Sequence, residues 1–348
     1  MVAKATSQSI RSIMRRKSSS DKLNILTFCT HERYEQQLCR TGHNFFSIGH
    51  GKKWDTDYGD IPDNYHIIDN IPDYIDYDAI LCHTTCDRLK ISQNIRDEFN
   101  IPIILHTHIL PDIRYNIEEQ KNRFAAVSAI ADQKGFISSF NAGAWGIPLK
   151  DVEVIEHGID YDFWSNHEEQ SRDNLCLSVV NDWPNRDWCC GWELWKQVVG
   201  FKAGSGTEAD PWQVDVPIRV FGKSPGLSVP ATSIEHLRQI YHTSSVFLNT
   251  SLHSPVPTVL MEAMACGCAI VSTENCMIPE IIQHGVNGFM SNDKTELRQY
   301  AEQLINNPDL AREMGKKAQE TILQKYNQDK FVNNWNKLFY NAINNYKG

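Results

Sequence analysis

The fold is decided by the stretch Val246–Gly288, VFLNTSLHSPVPTVLMEAMACGCAIVSTENCMIPEIIQHGVNG. Its apolar runs VFLNT and CAIVST predict buried strands, and TVLMEAMAC between them predicts a helix that ends at Gly267. Pro255 and Pro257 place a loop before this helix, because proline fits neither a strand ladder nor a helix interior. Strand, helix and strand at this spacing predict parallel strands with right-handed crossovers.

The loop 250–257 is the first candidate for a ligand site. Ligands of parallel sheets collect at the carboxyl ends of the strands, where this loop lies. Its amides, and the N-terminus of the helix that begins near Thr258, suit a phosphate group. Glu262 lies just over one turn into the helix, where its carboxylate could accept hydrogen bonds from ribose hydroxyls. The sequence therefore predicts a nucleotide site.

The segment resembles the nucleotide-sugar site of the retaining, family-4-type glycosyltransferases, which have the GT-B fold. The matching residues are Glu262–Gly267 (EAMACG), Pro279–Glu280 and Asn287–Gly288. The resemblance implies an α/β chain with two Rossmann-like, doubly wound parallel-sheet domains facing a cleft. It also implies transfer of a sugar from a nucleoside diphosphate sugar, UDP- or GDP-linked, to an acceptor hydroxyl. This transfer would proceed with retention and without a cofactor or metal ion.

Three positions depart from the family pattern. Ser254 stands in place of the first of two family glutamates, Pro257 in place of a glycine, and Asn181 in place of an arginine. In the family these positions hold the donor sugar and its diphosphate, so the resemblance implies a rebuilt donor pocket. The donor-binding positions that it implies are Asn181, Arg186, Gly222, Lys223, Ser254, Pro257, Thr258, Val259 and Glu262.

Arg186 is the candidate for stabilising the leaving group, at the position where the family has a lysine. An anionic leaving group needs a cation in a water-poor cleft, and arginine offers a bidentate fork. The alternative is a surface arginine beside Asp187. Gly222 and Lys223 could border the nucleotide base, or form a plain turn after the strand PIRVFG.

Four tryptophans surround Arg186. Trp192 and Trp195 have the spacing of a buried helix face, whereas Trp183 or Trp188 could line a base or sugar pocket.

The first half of the chain alternates strand and helix patterns, which favours a parallel α/β domain. Its strand IPIILHTH ends in His106 and His108, two residues apart on one face. The resemblance implies that His108 contacts the reacting sugar, and that His108, Arg186 and Glu262 form the catalytic group. On the acceptor side we place His106 and Arg33, which could contact phosphate. Glu32 beside it could cap the following helix.

We predict four regions along the chain. These are a flexible basic arm at 1–22, an N-terminal acceptor-side domain at 23–165, a C-terminal nucleotide-sugar domain at 166–328, and a helix at 329–348 that packs back on the N-terminal domain. The polar stretch 165–174 would be the linker between the domains. The docking stripe of the last helix would be Phe331, Trp335, Leu338 and Phe339.

Composition narrows the class of protein. A net charge of −9 over 348 residues excludes a generic nucleic-acid binder, although the basic arm could contact an anionic acceptor or membrane surface. The sequence has no apolar run long enough for a transmembrane helix or a secretory signal, so we expect neither. Ten scattered cysteines are typical of a reducing compartment, so we expect a cytoplasmic protein. Cys82 with Cys86, and Cys189 with Cys190, lack a second pair at zinc spacing, so we expect no metal site.

The acceptor stays open, because related folds serve saccharides, proteins and hydroxylated DNA bases. Two other functions also stay open. One is a nucleotide-sugar-binding protein with little or no transfer activity, which the three departures motivate. The other is a GT-B-type phosphorylase or hydrolase.

Overall fold

The computed structural model describes residues 16–49, 54–56, 59–83, 86–165, 171–204 and 212–347. Residues 1–15 of the expected arm and 166–170 of the expected linker lie outside this part. The chain divides into two compact units, which we call the N-terminal unit (Met1–Gly158 with Asp329–Gly348) and the C-terminal unit (Ile159–Gln328). The division falls before residue 165, because the ring of Trp164 packs 5.8 Å from that of Tyr241 in the C-terminal unit.

Each unit contains one sheet of parallel strands. Among the described residues, the N-terminal sheet has seven strands in the order β3-β2-β1-β4-β5-β6-β7, and the C-terminal sheet has five in the order β12-β11-β10-β8-β9. The strands are β1 Asn24–Thr27, β2 Asn44–Ile48, β3 Tyr65–Ile68, β4 Ala79–His83, β5 Ile103–Thr107, β6 Gln133–Phe136, β7 Glu153–Val154, β8 Asp173–Val179, β9 Ile218–Phe221, β10 Ser244–Asn249, β11 Ala269–Ser272 and β12 Phe289–Met290.

Helices alternate with these strands along the chain. They are α1 Glu32–Cys39, α2 Cys86–Phe99, α3 Ile117–Ser128, α4 Ser139–Ala144, α5 Tyr161–Trp164, α6 Asp187–Cys190, α7 Trp192–Val199, α8 Ile234–His242, α9 Thr258–Ala265, α10 Ile278–Ile281, α11 Lys294–Asn306, α12 Pro308–Lys325 and α13 Gln328–Asn345. Short 3-10 turns lie at Leu149–Asp151 and Pro184–Arg186. None of the helices described is long and apolar enough to cross a membrane.

Both faces of the N-terminal sheet are covered. Alternate residues of β1 enter different apolar clusters, Ile25 on one face and Leu26 on the other. Ile104 and Ile103 of β5 divide in the same way. This alternation follows from the two-residue period of a strand, and it makes the unit doubly wound.

The last helix, α13, contributes buried residues to one of these apolar clusters. Its buried apolar residues pack with Leu23 and Phe45 of the N-terminal unit. They are Phe331, Trp335, Leu338, Phe339, Ala342 and Ile343.

The decisive stretch folds as its pattern predicts. β10 and β11 pair in parallel, with Val246 opposite Ala269, and α9 connects them. Gly267 ends α9 with a φ of +78°, where the amide of Cys268 donates to the carbonyl of Ala263 at 3.0 Å. A residue with a side chain is strained in this conformation, so glycine is the expected stop. The predicted α/β fold with two parallel sheets is confirmed.

The described end of the basic arm contacts the N-terminal unit. The ammonium of Lys17 lies 2.9 Å from the carboxylate of Asp78, and its backbone amide donates to Asn344. The hydroxyl of Tyr340 donates to the carbonyls of Ser19 and Asp21. Lys17 therefore neutralises a buried aspartate of its own unit.

Candidate functional site

Two loops meet at the carboxyl edge of the C-terminal sheet. The loop after β8 presents the carbonyl of Cys189, which accepts the amides of Leu252 and His253 from the loop after β10, at 2.8 and 3.1 Å. The hydroxyl of Thr250 donates to the carbonyl of Gly191 at 3.0 Å. These bonds join the segments that carry most of the predicted donor-binding positions. Ligands of parallel sheets bind at this edge.

At this edge Asn181, after β8, contacts the tight turn at Gly222 and Lys223, after β9. The side-chain oxygen of Asn181 accepts the amide of Lys223 at 2.8 Å. Gly222 has a φ of +121°, and a Cβ there would lie 2.1 Å from the carbonyl oxygen of Val180. Only glycine permits this close approach of β8 and β9. Asn181, which replaces the family's arginine, therefore binds the backbone of the turn after β9.

Arg186 ends the 3-10 turn after β8 and is exposed. Its guanidinium donates to the carbonyl of Asn181 at 3.4 Å. Asp187 instead accepts the amide of Glu193, at 2.8 Å. In the same loop Asp182 has a φ of +51°, a strained conformation that is often found at functional sites.

The tryptophans divide between core and surface. Trp195 is fully buried and its ring lies 5.2 Å from that of Trp192, as their helical spacing predicts. Trp183 is also fully buried, 4.9 Å from Trp195, and its Nε1 donates to the carbonyl of Cys190. A pocket role for Trp183 is therefore wrong. Trp188 is half-buried, with its ring 6.0 Å from that of His253.

The N-terminus of α9 faces the same edge. Pro257 occupies its N-cap position and makes no side-chain cap hydrogen bond. The first turn carries Thr258, which is exposed, and Val259, which is half-buried, and Ser254 in the preceding loop is half-buried. Because Pro257 supplies no side-chain cap, the amides of this first turn suit an anionic ligand.

Glu262 lies deeper in α9. Its side chain is only 5% exposed, and one carboxylate oxygen accepts the hydroxyl of Tyr241 at 3.2 Å. Tyr241, from α8, is fully buried and so holds this carboxylate in one orientation.

A group of histidines lies in the N-terminal unit, at the carboxyl ends of β4 and β5. Nδ1 of His83 lies 2.7 Å from Nε2 of His108, and one nitrogen each of His83, His106 and His108 lie within 4.8 Å of one another. These rings and that of His157 surround Tyr34, with ring centroids 4.4 to 6.0 Å from its own.

Burial keeps these imidazoles neutral. It lowers the pKa of His83, His106 and His108 well below the usual value, and that of His157 to about 4. The neighbouring histidines lower the pKa of each further, because a second positive charge in the group is disfavoured.

The two predicted acceptor-side residues lie at different depths around this group. His106 is fully buried and its ring packs 4.8 Å from Trp335, so it lies behind the half-buried His108. Arg33 is half-buried in the first turn of α1. His31, just before this helix, is exposed and lowers the pKa of His108. The amide of Thr30, before this helix, donates to the carboxylate of Glu35 at 3.2 Å.

The sequence analysis missed His83, His157 and Tyr34. A signal was available for His83, because AILCH and IPIILHTH both end in histidine. Adjacent parallel strands place such ends together, and His83 is in register with His106.

Comparison with known proteins begins with the C-terminal unit. Residues 229–321 match the family Glycosyl transferases group 1. N-acetyl-alpha-D-glucosaminyl L-malate synthase of Bacillus anthracis is 31% identical over 111 residues, which are 31% of this chain and 29% of that protein. The chain thus matches less than a third of that relative's length.

Solved structures resemble almost the whole chain. Alr3699/HepE of Anabaena in complex with UDP has a TM-score of 0.66 and 15% identity, covering 90% of this chain and 98% of that one. The same protein is also solved in complex with UDP-glucose. A glycosyltransferase of Rickettsia africae has a TM-score of 0.68 and 14% identity, with 93% and 100% covered. The fold is therefore GT-B, and the match to glycosyl transferases group 1 lies within residues 229–321.

Proposed function

We propose that this chain transfers a sugar from a nucleoside diphosphate sugar to an acceptor hydroxyl, with retention at the anomeric carbon. The observation that carries the proposal is the meeting of three features at one sheet edge. These are the loop of Arg186, the tight turn at Gly222 and the uncapped start of α9. The last lies within the segment that matches glycosyl transferases group 1. Retention follows from the resemblance, and the UDP complexes of the Anabaena protein favour a UDP-sugar.

In this proposal the donor's diphosphate binds at the first turn of α9. The amides of Thr258 and Val259 face the phosphates, and the exposed guanidinium of Arg186 neutralises the departing diphosphate in place of a divalent metal ion. Glu262, held by Tyr241, accepts the ribose hydroxyls. Ser254 reaches less far than a glutamate and binds the sugar through a water molecule. By the resemblance, His108 contacts the reacting sugar.

The test is a donor panel of UDP-, GDP-, ADP- and dTDP-sugars. Binding is measured as a shift in thermal midpoint, and transfer as release of the nucleoside diphosphate. Arg186→Ala should slow release by about 10²–10³-fold, the typical effect of losing one charge-stabilising group. Its thermal midpoint should barely change, because Arg186 is exposed.

The matched control is Arg312→Ala, an exposed arginine of the same unit that pairs with Asp309. It should leave release unchanged. If no nucleotide stabilises the wild-type chain, the proposed donor site is wrong.

A second candidate is a nucleotide-sugar-binding protein without transfer. It is favoured by Asn181, whose side chain binds Lys223, and by Pro257, which has no N–H to offer. Stabilisation by a nucleotide sugar without release, across saccharide and protein acceptors, would support it. Ser254→Glu separates the two functions: a gain of transfer indicates a site that has lost a needed carboxylate, and a loss indicates a site adapted to serine.

A further inference from the structure

The group formed by His83, His106 and His108 has the composition of a metal site. Each offers one ring nitrogen, and the three nitrogens lie within 4.8 Å of one another. They come from the ends of two adjacent parallel strands, so the backbone holds two of them in register, His83 opposite His106. We propose that these three histidines bind one Zn²⁺ ion in the N-terminal unit.

The distances require only small side-chain movements. Zinc bonds imidazole at about 2.0–2.1 Å, so two tetrahedral ligands lie about 3.3 Å apart. The nitrogens of His83 and His108, now 2.7 Å apart, would separate slightly. The wider separations, up to 4.8 Å, would close by about 1.5 Å, which ring rotations can supply.

The surroundings supply the outer contacts that such sites use. Nε2 of His83, the nitrogen that does not face His108, lies 3.8 Å from the carboxylate of Glu35. Thr30 holds that carboxylate with its amide and its hydroxyl, at 3.2 and 3.0 Å. The backbone of Ile155 lies beside the His106 ring, where it raises the pKa of that imidazole against the lowering effect of burial. Carboxylate and carbonyl partners of this kind orient metal-bound histidines in known sites.

The choice of ion follows from the ligands. Three imidazoles without a thiolate suit zinc, and three protein ligands leave the fourth tetrahedral position for water or substrate. His108 is half-buried, so this side of the group reaches solvent.

Metal binding would also fix the proton of His108. With Nε2 on the ion, the ring proton must lie on Nδ1, which then becomes an obligatory donor. The metal would therefore set the tautomer of the residue that the proposed function places against the sugar. The metal site itself does not depend on that function.

The experiment uses the full chain, purified without a histidine tag. Bound zinc is measured by elemental analysis, before and after dialysis against a chelator. The stripped protein is then titrated with Co²⁺, whose visible absorption distinguishes tetrahedral from octahedral coordination. We expect one ion per chain, a tetrahedral Co²⁺ spectrum that Zn²⁺ abolishes, and a higher thermal midpoint with Zn²⁺.

Variants locate the ion. His83→Gln should lose binding by at least 100-fold, and Glu35→Gln, which keeps all three ligands, should weaken it about 10–100-fold. The control is His66→Gln, an exposed histidine of the same unit, which should bind as wild type.

Three outcomes would overturn the proposal. The first is no bound zinc together with no tetrahedral Co²⁺ spectrum in the wild-type chain. The second is binding that survives in both His83→Gln and Glu35→Gln. The third is equal loss in His66→Gln. If His83→Gln does not fold, the wild-type stoichiometry and Glu35→Gln still decide. None of these measurements requires glycosyl transfer.

Discussion

Tyr241→Phe removes one hydroxyl from the C-terminal unit, and with it the donor that holds Glu262. The phenol is fully buried, Glu262 is 5% exposed, and the hydrogen bond between them measures 3.2 Å. The substitution keeps the ring, so its packing against Trp164 and Phe247 is retained. What changes is a buried carboxylate that loses one donor.

The magnitude follows from the charge and the distance. A hydrogen bond to a charged group contributes about 1.5–3 kcal/mol, and a length of 3.2 Å places this one near the lower end, about 1.5 kcal/mol. Glu262 would also lose its fixed orientation. If it binds the ribose, the Kd for the nucleotide should rise up to about tenfold, which corresponds to about 1.4 kcal/mol.

Two measurements check this prediction: the free energy of unfolding of the C-terminal unit in urea, and nucleotide affinity by calorimetry. Tyr300→Phe is the matched control, because Tyr300 belongs to the same unit and stacks 4.6 Å from Phe289. An unchanged stability would show that the hydroxyl does not hold Glu262. A loss of stability with unchanged affinity would show that Glu262 does not bind the nucleotide.

Three further substitutions test the two units. Gly222→Ala should lower the free energy of unfolding by about 2 kcal/mol more than Gly226→Ala. Both glycines have positive φ, but of the two only Gly222 has a carbonyl oxygen 2.1 Å from the position of an added Cβ. Equal losses in chemical unfolding would contradict this. Trp335→Ala should lower the stability of the N-terminal unit by about 3–5 kcal/mol, since the indole is fully buried; a cost below 1 kcal/mol in urea unfolding would refute that packing. Burial lowers the pKa of His43 to about 4, whereas the unfolded chain has the usual value near 6.5. The neutral imidazole therefore stabilises the fold above pH 6.5, and this contribution, at most about 3 kcal/mol, is lost as the pH falls from 6.5 to 4. Thermal midpoints of His43→Gln should therefore fall less than those of wild type over that range, and parallel curves would show that His43 titrates normally.

Much of the fold could be predicted because short segments of the sequence determine it. The stretch Val246–Gly288 carries two apolar runs, a helix rich in residues that favour helices, and a glycine that ends this helix. Each of these patterns spans fewer than ten residues. The parallel pairing of β10 with β11 then follows from the connection between them. The same locality made α9 and its uncapped first turn predictable.

The side chains around the candidate sites were harder to predict. Trp183 follows a strand and precedes a proline, a position that favours a surface loop. Its burial depends on Trp195, twelve positions along the chain, and on the carbonyl of Cys190. Lys17 likewise finds Asp78, which no local pattern connects to it.

The sequence by itself determined the alternation of strands and helices, the two-residue and helical periods that bury them, and the glycine that ends α9, because these depend on backbone preferences and neighbouring residues. Only the tertiary structure decided that His83 lies beside His106 and His108, and that Tyr241 holds Glu262. Contacts between residues distant in the chain depend on which strands lie side by side and on the direction of each side chain. Local sequence restricts which strand orders and side-chain directions are possible, but it does not select one of them.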